Sequence, residues 1–169
     1  MDVKPQKPNG KSIMLLHGKN FNGAYWGETI DALTAKGYRV IVPDQVGFGK
    51  STKPMHFQYS FQQLAINTKQ VLDSLHLDKV TVLGHSMGGK TAMLLACENE
   101  ELVQKLVVVD IAPKYYAPHH QQILEGLTAL DEAHLTSRGD AEDFLEKHIS
   151  EKGVRLFLLK NLYWKTKCF

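Results

Sequence analysis

Ser86 lies in the run Gly84-His85-Ser86-Met87-Gly88-Gly89, a serine between glycines at G-x-S-x-G spacing. A serine hydroxyl becomes a useful nucleophile when a base takes its proton and N–H donors receive the charge developing on the attacked carbonyl. The flanking glycines let the chain turn a sharp corner that exposes the hydroxyl, and a helix beginning there aims its positive end at that charge. The N–H of Met87 is then one oxyanion donor. The run Leu15-Leu16-His17-Gly18-Lys19-Asn20 offers a second, from Lys19 or, as the alternative, Asn20. His17 reads as a hydrogen-bonded structural side chain, and Asp44, before a glycine-rich loop, as a turn stabiliser. Asp110 ends the apolar run Leu106–Val109, where a carboxylate can orient a histidine and stabilise its imidazolium.

The base itself is less plain. The chain has eight histidines. His119 and His120 follow Asp110 closely, at the start of a segment able to overhang Ser86, and His148 is a third candidate among Phe144, Leu145 and Ile149, which suggest partial burial. Strand alternation turns His85 away from the pocket, as a structural residue. His56 and His76 fall in a loop and at a helix end. Cys97 and Cys168 are the only cysteines, without metal or redox spacing, and read as free thiols of a reducing compartment. No metal and no cofactor is expected.

These residues need elements to hold them. Residues 12–18, 38–44, 79–84 and 105–110 read as short buried strands, alternating with helical patterns over 24–37, 60–77 and 87–100. On the helix over 60–77, Phe61, Leu64, Ile66, Val71, Leu72 and Leu75 are expected on one face, with Ser60 as N-cap. This alternation predicts an α/β fold: a central parallel sheet of about four strands with flanking helices. The Lys19 loop, Ser86 and Asp110 all fall at carboxyl ends of strands, where such sheets bind ligands. Residues 1–11 read as a lead-in. After Asp110 the pattern becomes helical, and the chain divides into a core over 1–111 and a helical cap over 112–169. Trp26, Phe48, Tyr115, Tyr116 and Trp164 are candidate walls for an apolar acyl chain; the same aromatics would also serve as core.

A hydrophobic share of 43% against 22% charged residues excludes a disordered chain. A net charge of +2 without a basic block argues against nucleic acid as a partner. The apolar runs are strand-sized, so no membrane span is expected, and the polar opening carries no secretory pattern. The expected setting is the cytoplasm.

Taken together, Leu15–Asn20, Pro43–Ser51, Gly84–Lys90 and Leu106–Pro113 resemble the α/β-hydrolase superfamily. From Gly84 to about Trp164 the likeness is to the bacterial acyl-CoA esterase/thioesterase group; from about Leu15 to Leu77 it is to small haloperoxidase-like esterases. A mosaic with its seam near Gly84–Gly89 would account for both. The resemblance implies Ser86 as nucleophile, Met87 and Lys19 as oxyanion donors and Asp110 as the acid, in a hydrolase of carboxylic esters or thioesters working through an acyl-enzyme. It also implies two strands before the first strand seen here and, beyond the cap, two more strands and a late loop with the catalytic histidine. The chain is thus expected to be a truncated, incomplete α/β-hydrolase fold. Its last strand would lack a neighbour, which predicts a homo-oligomer. The alternative is a weak or inactive hydrolase-fold fragment whose main property is self-assembly.

Overall fold

In the computed structural model, which describes residues 1–116, 121–133 and 135–163, the chain forms two compact units, Met1–Lys114 and Tyr115–Phe169. The first is built on a five-stranded sheet. Its strands are β1 (Asp2–Val3), β2 (Ser12–Leu16), β3 (Arg39–Ile41), β4 (Val80–His85) and β5 (Val103–Val109), in the order β1-β3-β2-β4-β5. The connecting helices are α1 (Gly27–Ala35), α2 (Phe61–Ser74) and α3 (Met87–Glu98), and a 3-10 turn, Gly23–Trp26, precedes α1.

β2, β3, β4 and β5 are mutually parallel, as the strand–helix alternation predicts. β1 corrects the expectation of an unstructured lead-in and an all-parallel sheet, because it pairs antiparallel to β3, Asp2 beside Ile41 and Val3 beside Val40. Two pairings alone would not hold so short a strand. Arg39 adds a bidentate ion pair to Asp2, at 2.9 and 2.7 Å, and the Met1 ammonium donates to the Val42 carbonyl at 2.6 Å.

β2 is the central strand and is buried on both faces. Ile13 and Leu15 join Ile30, Val40 and Val42 in one apolar cluster on the α1 side. Met14 and Leu16 join Ile41, Leu72, Val82, Ala92 and Leu95 in another, on the α2 and α3 side. The buried stripe of α2 is Leu64, Ala65, Thr68 and Leu72. Ile66, expected on that face, is exposed, because at 3.6 residues per turn it lies well round the helix from Leu64 and Leu72; Phe61, the first residue of α2, is exposed as well. Ser60 caps α2 as expected, its hydroxyl accepting the N–H of Gln63 at 3.2 Å. Leu106, Val107 and Val109 of β5, the strand at one edge, are each about two-fifths exposed (40%, 42% and 41%).

The second unit is helical: α4 (Gln121–Glu132), α5 (Arg138–Glu146) and α6 (Lys152–Leu159). Its core is Leu130, Ala141, Leu145, Ile149, Leu158 and Leu159. Arg155 is buried within it, donating to the carbonyls of Ile149 (2.9 Å) and Ser150 (2.8 Å) and to Glu146 Oε1 (2.9 Å). His148 is exposed, where partial burial was expected, while its neighbours Leu145 and Ile149 take the core positions. Among the described residues no helix is long and apolar enough to cross a membrane.

Candidate active site

The winding of the sheet fixes where a site can form. From β2 the chain steps to β3 on one side, then crosses to β4 on the other, so the direction reverses between β2 and β4. Crevices open at the carboxyl ends of strands at such a reversal. The turn after β2 begins at Gly18, and Ser86 directly follows β4, so both lie at this point.

Ser86 has φ 51° and ψ −115° between β4 and α3, a left-handed conformation uncommon for serine. The packing around it requires glycine. A Cβ at Gly84 would run into the Gly88 carbonyl, and one at Gly88 would strike the carbonyls of Leu16 and His17. β4, α3 and the end of β2 therefore approach more closely than any side chain permits, and the corner at Ser86 absorbs the strain. Met87 opens α3, so its N–H lies outside the helix's own ladder.

The Ser86 N–H donates to the Val109 carbonyl at 2.9 Å, which places the end of β5 beside the Ser86 turn. Asp110 comes next, with φ 57°, in a turn with its side chain largely exposed. On the other side of Ser86, the N–H of Phe21 closes a turn onto the Gly18 carbonyl at 3.2 Å, with Asn20 at φ 65°. Lys19 sits exposed within that turn. Ser86, Met87, Lys19 and Asp110 thus all lie just beyond the carboxyl ends of β4, β2 and β5.

His17 is buried and fully used. Its Nε2 accepts the N–H of Gln45 at 2.9 Å, and its Nδ1 lies 2.9 Å from the Gly18 carbonyl, which assigns the proton to Nδ1. Burial holds the imidazole below its usual pKa, against the opposing pull of the Gly18 carbonyl and the Asp44 carboxylate. Gln45 returns a bond to the His17 carbonyl at 2.7 Å and accepts from Thr91 of α3 at 3.3 Å. Asp44 is a turn stabiliser, its carboxylate accepting the N–H groups of Gly23 (2.6 Å) and Lys50 (2.7 Å). Burial raises its pKa, but the donated N–H groups of Lys50 and Gly23 outweigh that and hold the carboxyl below its usual range.

His85 differs from the expectation. Alternation does set it on the face of Leu83, away from Val80 and Val82. At the end of β4, however, that face holds the Gly18–Phe21 turn and Asp110. The His85 ring meets Phe21 edge-on, with centroids 5.9 Å apart, and Nε2 lies 3.6 Å from Asp110 Oδ2. Phe21 and Gln45 were not singled out by the sequence; their position beside the two loop motifs was the available signal.

Of the candidate walls, Phe48 sets its ring edge-on to His17, centroids 5.5 Å apart. Trp26 packs, half-buried, against the cluster of Ile13, Leu15, Ile30, Val40 and Val42. Tyr115 and Tyr116 are exposed at the start of the second unit. His119, His120 and Trp164 lie outside the described residues. Among the described residues, no three His, Cys, Asp or Glu side chains converge as metal ligands would.

Known proteins share this fold. The chain is 32% identical to the esterase YbfF of Escherichia coli over 154 residues, 90% of this chain and 59% of that protein. It is 33% identical to the sn-1-specific diacylglycerol lipase ABHD11 of Danio rerio over 168 residues, 95% of this chain and 52% of that one. The chain therefore spans about half the length of the curated relatives it matches. A solved marine microorganism esterase superposes with a TM-score of 0.83 at 31% identity, covering 98% of this chain and 64% of that one. Residues 11–149 match the family of the alpha/beta hydrolase fold. With a match across most of its length, on a sheet whose winding reverses beside a serine at a strand–helix corner, this chain belongs to the α/β-hydrolase family.

Proposed function

We propose that the chain is a hydrolase of carboxylic esters or thioesters with Ser86 as nucleophile. The observation that carries this reading is the Ser86 corner, a serine at φ 51° between β4 and α3 whose geometry is enforced by glycines that admit no side chain. The names of the relatives, an esterase and a lipase, support the same substrate class.

In this mechanism Ser86 Oγ attacks the acyl carbonyl carbon while a histidine takes the hydroxyl proton. The oxyanion is received by the N–H groups of Met87 and Lys19. The alcohol or thiol leaves with the proton returned by the histidine, and water then releases the acid from the acyl-enzyme. Asp110 orients the histidine. His119 and His120 are the proposed bases, with His148 as a further candidate, and residues 112–169 are proposed to act as the cap. The exposed apolar side chains of β5 support self-association through that edge, and a single species of monomer mass in light scattering at micromolar concentration would count against it.

The test is hydrolysis of p-nitrophenyl acetate and butyrate by the wild type and Ser86→Ala. Loss of about a thousandfold or more in kcat on Ser86→Ala is expected if the serine is the nucleophile. Equal rates for the two proteins would reject the reading.

A further inference from the structure

We propose that His85 is a positioning residue of this site, its ring acting as a spacer between the turn that carries Lys19 and the acid Asp110; its kinetic consequence rests on the Ser86 reading above. The two ring nitrogens face different elements. On the Nδ1 side, a Cβ built at Gly18 would stand 2.8 Å from that nitrogen, so the imidazole occupies the space a side chain there would need. The same Cβ would lie 3.4 Å from the Phe21 ring, which itself meets His85 edge-on at 82°. On the Nε2 side stands Asp110 Oδ2 at 3.6 Å.

The ring therefore stands against both ends of the Gly18–Phe21 turn and the Asp110 carboxylate that follows β5. Its volume sets how near that turn, with the Lys19 N–H, can come to the end of β4 and hence to Ser86. The contact with Asp110 is beyond hydrogen-bond length and 83% of that side chain is exposed, so His85 steadies the acid without tying up its oxygens. Oxyanion donors act only within a few tenths of an ångström of the developing charge, so a turn that settles inward or outward loses rate without losing substrate.

The test combines kinetics with a stability cycle. With p-nitrophenyl butyrate, His85→Ala is expected to lower kcat about tenfold to a hundredfold with KM within about twofold. His85→Phe, which keeps a flat ring, is expected to recover most of that loss. A phenylalanine variant as slow as the alanine variant, or an alanine variant at the wild-type rate, would overturn the proposal. The second arm needs no turnover. Gly18→Ala is expected to lower the thermal midpoint in the wild-type background and to cost much less in a His85→Ala background. An equal cost in both backgrounds would show that the ring is not what fills the space beside Gly18, and would overturn the proposal. If wild type and Ser86→Ala hydrolyse esters equally, the hydrolase reading falls, and the Gly18/His85 cycle still decides whether the ring is the spacer.

Discussion

The imidazole of His17 and the backbone of Gln45 are joined by a bond that exists only while the ring is neutral: Nε2 accepts the Gln45 N–H at 2.9 Å. A proton placed there would face another proton, inside a site from which water is excluded. The folded pKa of His17 is therefore depressed, chiefly by burial. The unfolded chain binds the extra proton first as pH falls below the ordinary value of 6.5. Stability is full above that value and declines below it, towards the folded pKa. The thermal midpoint should fall between pH 7.5 and pH 5.5, with a shallower decline in His17→Gln. A midpoint independent of pH across that window would contradict the assignment of the neutral ring.

Two glycine-to-alanine changes should move stability in opposite directions. At Gly88 the added methyl meets the backbone carbonyls of Leu16 and His17, which cannot swing aside, and a loss of about 3 kcal/mol or more is expected. At Gly153, in α6, nothing lies within 4 Å, and alanine should gain about 0.5–1 kcal/mol. Urea unfolding of the two variants checks both signs.

Asp44→Ala removes the acceptor of two backbone N–H groups, those of Gly23 and Lys50. The two segments it joins lie before α1 and after β3, so the loops on both sides of the sheet's carboxyl edge should loosen together. A loss of about 2 kcal/mol is expected, with faster amide exchange at Gly23 and Lys50. Because the folded carboxyl titrates below its usual value, this contribution is present above 3.8 and disappears as pH falls through the lowered folded pKa. Unchanged exchange at both amides would count against the bridging role.

In the second unit, Arg155→Met strips the carbonyls of Ile149 and Ser150 and the Glu146 carboxylate of their shared donor. Glu146 keeps its access to water, so the cost is that of the carbonyls left without their donor, about 1–3 kcal/mol. Limited proteolysis should then cut earlier within residues 138–159 than in the wild type, while cleavage within residues 1–114 keeps its wild-type rate.

Much of this architecture is legible in the chain because local pattern and tertiary packing agree. The parallel strands follow from apolar runs with their helices between them, and the Ser86 corner follows from Gly84 and Gly88, each set against a backbone carbonyl, and from Gly89, set against the Ile111 side chain. β1 was not legible, since Asp2 and Val3 carry no strand pattern and owe their state to Arg39 and Val42, far along the chain. Ile66 was misread because hydrophobicity alone does not fix which part of a helix turns inward. His85 lies on the face that alternation assigns, but alternation does not say what stands on that face, and the turn after β2 and Asp110 after β5 converge there only in three dimensions.

The two borders of the sheet are unequal, and that limits how copies of the chain can join. One border is closed by β1, two residues long and pinned through Asp2 to Arg39; short, charged strands of this kind offer no template to a newcomer. The other border among the described residues is β5, seven residues long, paired on one side to β4. A sheet able to grow from one side only is used up after a single joining event. Were copies to join through β5, the contact would close as a pair about a two-fold axis, because the β1 border offers no second template on which a running fibre could grow.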